Sequence, residues 1–144
     1  MLENQYDPRK RTDLTENERR TLEFMQDCIH GTNEGLIDEY VAEYYIQHTP
    51  GIGQGREGVR RYLKEIAWKR QGRHDYTPIH LFSDGDFVIL HKLLSSVVIV
   101  DILRFNNQHQ LVEHWDVVQQ LPEPDYDPVR LSTENLTRFK DLFK

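Results

Sequence analysis

The sequence contains a single cysteine, Cys28, so no intramolecular disulfide can form and no second thiolate is available for a cysteine-based metal site. Long apolar runs are also missing. The richest, Val97 to Leu103, is broken by Asp101 and falls well short of the ~20 residues that span a bilayer. The stretch from Met1 to Lys10 is polar and lacks the apolar core of a secretory signal. Positive charge is in deficit, with 18 Lys+Arg against 24 Asp+Glu and a formal charge of −6. That balance argues against nonspecific binding to nucleic acid or to an anionic membrane. No internal repeat or low-complexity tract interrupts the chain. These absences together predict a cytoplasmic protein. The 144 residues fit one domain, and 38% hydrophobic against 29% charged residues is too apolar for wholesale disorder.

Residues 1–13 read as a mobile lead-in, polar and carrying the basic cluster Arg9-Lys10-Arg11. The domain itself spans residues 14–122. Thr15 and Glu18 have the spacing of a capping box, and Leu22, Met25, Cys28 and Ile29 continue at helical intervals to a stop at Gly31. Cys28 lies on that apolar stripe and reads as a packing residue. A second short helix is predicted to carry Leu36, Ile37, Tyr40, Val41 and Tyr44. A third, after Gly55, carries Val59, Tyr62, Leu63, Ile66 and Ala67. The period then changes to two. Strands are predicted over 76–82, 87–94, 95–105 and 111–119, joined by hairpin turns at Ser83–Asp86 and Asn106–Gln110. Helices first and strands later describe an α+β protein with a curved antiparallel sheet enclosing a pocket. Residues 123–144 form a C-terminal extension, with Leu131, Leu136, Phe139 and Phe143 patterned as a short amphipathic helix that docks on the domain or on a partner subunit.

Gly53-Gln54-Gly55-Arg56-Glu57-Gly58 fits G-x-G-x-x-G, but the segment before it is short and polar and the segment after it is a meander. The glycines are read as serving the turn into the third helix. A second constellation is chemically richer. His91 lies within Val88–Leu94, Asp101 within Val98–Leu103, and Glu113-His114-Trp115-Asp116 between Val112 and Val117. A carboxylate in a buried strand is costly unless it is paired or functional. Asp101 shares its face with Ile99, Leu103 and Phe105, and His91 shares one with Phe87, Ile89 and Leu93. Parity splits the last strand, His114 and Asp116 pointing one way and Glu113 and Trp115 the other; which pair faces inward stays open at the level of sequence.

These segments carry a resemblance. Tyr44–Gly51 followed by Gly55–Gly58, the hairpin Ser83–His91, and the closing hairpin Val100–Phe105 with Leu111–Val117 resemble, in order, the SnoaL-like polyketide cyclase family of the NTF2-like superfamily. The likeness covers about residues 15–122. Thr49 replaces the family's usual asparagine, and Asn106–Gln110 replaces its usual acidic-glycine-lysine turn. The resemblance implies a cone: helices packed on a curved sheet around a pocket lined by aromatics, for which Tyr44, Tyr45, Trp68 and Trp115 are the candidates. It also implies cofactor-independent acid/base chemistry on a small hydrophobic carbonyl compound, as a cyclase, isomerase or aldol-type catalyst. Asp101, His48, His91 and His114 are the candidate catalytic groups, with Asp116 in reserve, and a base of this kind needs a pKa raised toward neutral by apolar walls. The alternative is a non-catalytic ligand-binding or dimerisation module on the same scaffold. A metal site built from His91, His114 and a carboxylate is disfavoured, because no H-x-H or H-x-x-x-H pair supplies local ligand spacing; neither metal nor cofactor is expected. Apolar residues on both faces of the last two strands predict a homodimer.

Overall fold

A computed structural model describes residues 6–123 and 126–129. The predicted amphipathic helix of the C-terminal extension lies outside these residues. Chain order among the described residues begins earlier than Thr15. Pro8 is buried, and Arg11 bridges the Glu18 carboxylate (3.2 Å) and the Leu81 carbonyl (3.2 Å), so the segment before the first helix is pinned to the domain.

Helix α1 (Glu16–Glu23) starts at the expected capping box. The Thr15 hydroxyl accepts from the Glu18 amide at 3.1 Å, and the Glu18 carboxylate accepts from the Thr15 amide at 2.9 Å. The helix then widens into a π turn over Phe24–Ile29, closed by the His30 amide on the Met25 carbonyl at 2.8 Å. Phe24, Met25 and Cys28 are all buried along this turn. Helix α2 is short, Gly35–Tyr40, and α3 spans Gly55–Glu65.

The strands are β1 (Val41–Gln47), β2 (Tyr76–Asp84), β3 (Phe87–Leu94), β4 (Val97–Phe105) and β5 (Leu111–Gln120), in the order β1-β5-β4-β3-β2. Among the described residues the sheet therefore has five strands, not four. Val41 and Tyr44, assigned to the second helix by their spacing, belong to β1, which pairs parallel with β5 while all other pairs are antiparallel. Helical and strand patterns both fit Leu36 to Tyr44; the β-branched and aromatic run Val41-Ala42-Glu43-Tyr44-Tyr45-Ile46 settles it for a strand. Helices cover one face of the sheet, and the core lies between, with Cys28, Ile37, Leu63, Leu81, Leu90 and Leu103 at most 1% exposed.

The turn into α3 uses its glycines as expected. Gly58 packs so closely on Gly53 that a Cβ there would lie 2.2 Å from the Gly53 carbonyl carbon. The segment is a backbone contact, with no βαβ crossover around it.

Candidate functional site

Between the helices and the inner face of the sheet lies a cavity of about 360 Å³, at the lower end of the range for small-molecule sites. Strand parity decides what enters it. In β4, Ile99, Asp101 and Leu103 point inward; in β5 the inward pair is His114 and Asp116. In β1, Tyr45 and Gln47 point inward, and in β3, Lys92 does.

Asp101 is 3% exposed and held at both oxygens, Oδ1 by His114 Nε2 at 2.8 Å and Oδ2 by Lys92 Nζ at 2.9 Å. Burial alone would raise its carboxyl, but the Lys92 ammonium and the His114 bond outweigh burial and hold it down at about 2. Lys92 itself is 3% exposed; its ammonium forms an ion pair with Asp101 and hydrogen-bonds to His30 Nε2 (3.2 Å) and Met25 Sδ (3.4 Å). His30 donates from Nδ1 to the Arg73 carbonyl at 3.1 Å, which leaves Nε2 as the acceptor facing Lys92. Burial, and then the Lys92 charge, push His30 down to about 3.

On the other side, Gln47 Oε1 accepts from the Thr49 amide at 3.1 Å and from His114 Nδ1 at 2.7 Å, while Gln47 Nε2 donates to the Tyr45 hydroxyl at 2.8 Å. The Thr49 amide fixes the orientation of the Gln47 side chain. The Tyr45 oxygen is an acceptor here, so its own O–H is left to donate into the cavity. Burial and the nearby carboxylates Asp101 and Asp116 raise this phenol, keeping it protonated.

Asp116 differs from its neighbours. It lines the cavity, is half-buried, and makes no hydrogen bond or ion pair with a described residue. Its carboxylate lies within 4.8 Å of both the Asp101 and the His114 ligand atoms. The three could in principle hold a cation, but Asp101 and His114 are committed to each other, and the Lys92 ammonium already sits against Asp101. The set His91, His114 and a carboxylate does not assemble, since His91 and His114 lie on opposite faces of the sheet.

The other sequence candidates lie elsewhere. His48 stacks on Trp115 at 4.6 Å between ring centroids and bonds Glu113 at 2.9 Å, on the outer face. His91 pairs there with His80, Nδ1 to Nδ1 at 3.1 Å. Tyr44 is 84% exposed. Trp68 donates to the Cys28 carbonyl at 2.8 Å and packs on the helices without lining the cavity. Cys28 is fully buried, and burial pushes its thiol up to about 12, in keeping with a packing role. One register step explains the histidines: in β1 the inward residues are Tyr45 and Gln47, which sends His48 out, and in β3 they are Leu90 and Lys92, which sends His91 out. Asp101 departs from expectation in another way, since its carboxyl is lowered where a base would need it raised. Sequence reading overlooked Lys92, His30 and Gln47. Lys92 had a signal: its parity matches Val88 and Leu90, and a lysine on that face must find a buried anion.

No family model and no curated protein matches the sequence. Solved structures do match. An NTF-2 like protein of unknown function from Burkholderia xenovorans LB400 aligns with TM-score 0.61 at 16% identity, over 85% of this chain and 92% of that one. A SnoaL-like protein of unknown function from Burkholderia thailandensis E264 gives 0.60 at 15%, over 74% and 98%. A steroid delta-isomerase from Pseudomonas aeruginosa gives 0.54 at 16%, over 90% of each. At these identities the likeness is one of fold: this chain has the NTF2-like fold that SnoaL-like proteins share.

Proposed function

We propose that this protein is a cofactor-independent acid/base enzyme, a cyclase, isomerase or aldol-type catalyst, acting on a small hydrophobic carbonyl compound. The observation that carries this reading is Asp116, a carboxylate with no partner among the described residues, facing a largely apolar cavity beside a tyrosine hydroxyl with a proton to donate. Asp116 takes a proton from the carbon next to the carbonyl. The C–H electron pair forms the C=C bond of an enolate while the carbonyl π pair moves to oxygen, where the Tyr45 O–H donates a hydrogen bond. Where a C=C bond adjoins the enolate, return of the proton to the far carbon of that dienolate gives isomerisation; attack of the enolate carbon on a second carbonyl gives an alkoxide that takes the proton back from Asp116, completing ring closure or an aldol product. Asp101 serves as the fixed anion that orients His114, and His114 with Gln47 holds Tyr45 in place.

The ion pairs and hydrogen bonds that join Lys92, Asp101, His114 and Gln47 support a second reading, a non-catalytic ligand-binding module, because such a network orders a buried site without any need for turnover. The readings separate in D₂O with 2-decalone and 4-phenyl-2-butanone. The enzyme reading expects α-hydrogen exchange above the buffer rate, lowered about 10²–10⁴-fold by Asp116→Asn with ligand affinity retained. Ketones that bind but exchange at the buffer rate assign the protein to the binding reading.

The same proposal includes a homodimer in the cytoplasm. The outer face exposes Phe82, Phe87, Ile89 and Val117, an apolar surface that a two-fold copy of itself would cover. The single, reduced cysteine suits the compartment.

A further inference from the structure

The cavity has two chemically distinct ends. Of the described residues lining it, Arg70, Gln71, Ser95 and Ser96 are exposed, and they mark its rim. Ser96 immediately precedes β4, and Asp101 lies roughly 16 Å further along that extended strand. On the inward face between them stand Val97 and Ile99, so the wall from rim to carboxylates is apolar.

The rim is basic. Arg70 lies with its guanidinium carbon 5.8 Å from the centre of the Tyr62 ring, and Arg73, also lining the cavity, donates to the Gly31 carbonyl at 2.8 Å. Neither holds a carboxylate of a described residue. The chain has an excess of acids, and Arg9, Arg11, Arg19, Arg20, Arg60 and Arg104 each pair with one. Arg56, bonded to the Val41 carbonyl, and Arg61 likewise hold no carboxylate of a described residue, but of these four arginines it is Arg70 and Arg73 that line the cavity. Asp75, the acid closest in sequence, lines a neighbouring shallow pocket that shares Ser95 and Ser96 with the rim, and a Cβ at Gly72 would lie 3.4 Å from its Oδ2; the two arginines outnumber this one carboxylate.

We infer that the ligand is an amphiphilic carboxylate. Its carboxylate is held by Arg70 and Arg73 with the Ser95 and Ser96 hydroxyls beside them, and its apolar body runs along Val97 and Ile99 toward Asp116. A planar guanidinium fork suits a carboxylate, and the rim setting avoids the cost of burying the charge. The inference rests on the cavity being the ligand site and narrows the proposed substrate class to hydrophobic keto acids.

Titration calorimetry of the full chain with octanoate, 1-octanol and octyl phosphate tests it. Octanoate is expected to bind about tenfold or more tighter than 1-octanol, with the advantage shrinking as salt is added. Arg70→Gln reduces that advantage, and Arg70→Gln with Arg73→Gln brings the two ligands to within about twofold while leaving 1-octanol affinity unchanged. Equal affinities, no saturable binding of octanoate, or an advantage that survives the double substitution overturns the inference. So does octyl phosphate binding about tenfold tighter than octanoate, which assigns the rim to phosphate. The exchange assay on neutral ketones reads Asp116 and not the arginines, so either conclusion can fail without the other.

Discussion

Lys92 decides the electrostatics of the inner site. An ammonium 3% exposed is sustained by one carboxylate, one imidazole lone pair and one thioether, and in return it keeps Asp101 ionised. Replacing it leaves the buried Asp101 carboxylate without its ammonium, held by His114 at Oδ1 alone. Lys92→Met is expected to destabilise the fold by about 3–5 kcal/mol in urea unfolding, and adding Asp101→Asn to recover part of that loss. An unchanged unfolding midpoint in the single variant contradicts the pairing. His30 gives the site a pH signature. Its folded pKa lies near 3, below the ordinary value of 6.5, so between those values the unfolded chain binds a proton that the folded one refuses. Stability is full above about pH 6.5 and falls on acidification toward pH 3, by up to about 1.4 kcal/mol per unit. The lowered Asp101 adds a second loss between its ordinary 3.8 and about 2. Unfolding midpoints measured from pH 8 to pH 4 should show the first decline, and His30→Gln should flatten it.

At the scale of elements, the turn into α3 shows a motif with a purely mechanical purpose. Gly58 lets the first turn of the helix lie directly on Gly53, with a Cβ position 2.2 Å from a backbone carbon that cannot move aside cheaply. Gly58→Ala is therefore expected to cost about 3 kcal/mol and to perturb β1, which is bonded to the same turn through Gln47 and Gln54. Gly51→Ala, at φ +85° but in open space, is expected to cost about 1 kcal/mol. Calorimetric melting of both variants orders the two effects, and equal shifts would remove the steric argument. The π turn Phe24–Ile29 works on the same scale: it carries Phe24, Met25 and His30 to the cavity wall from one short segment.

For the whole molecule, the two faces of the sheet have different chemistry. The inner face buries Lys92, Asp101 and His114 against one another; the outer face carries Glu113 with Arg104 and His48, and leaves Phe82 60% and Val117 63% exposed beside the stacked His48–Trp115 and His80–His91 pairs. Sedimentation equilibrium at micromolar concentration is expected to give twice the chain mass of 17.2 kDa, and Phe87→Asp with Val117→Asp to shift it to one chain mass. A wild-type mass of one chain at all concentrations refutes the dimer.

Local pattern was enough for the three helices, the four later strands, the hairpins, the capping box and the α+β class, because these depend on neighbours in the chain: period, turn residues and side chains three or four positions apart. It also marked Asp101 as a buried ion, since the apolar residues two positions away on either side define its face without reference to anything else. Which parity of β3 and β5 faces the cavity was settled by the folded chain alone, because it is set by pairing with strands far along the sequence. The same long-range pairing drew Val41–Gln47 out of a helical pattern and into a parallel strand beside β5. It sent His48 and His91 outward and brought Lys92, His30 and Gln47 in. It also turned Asp101 from a carboxylate that burial alone would raise into one held low, since the ammonium responsible sits on the adjacent strand. Burial is legible from local pattern; the partner of a buried charge is not, because that partner is chosen by the fold.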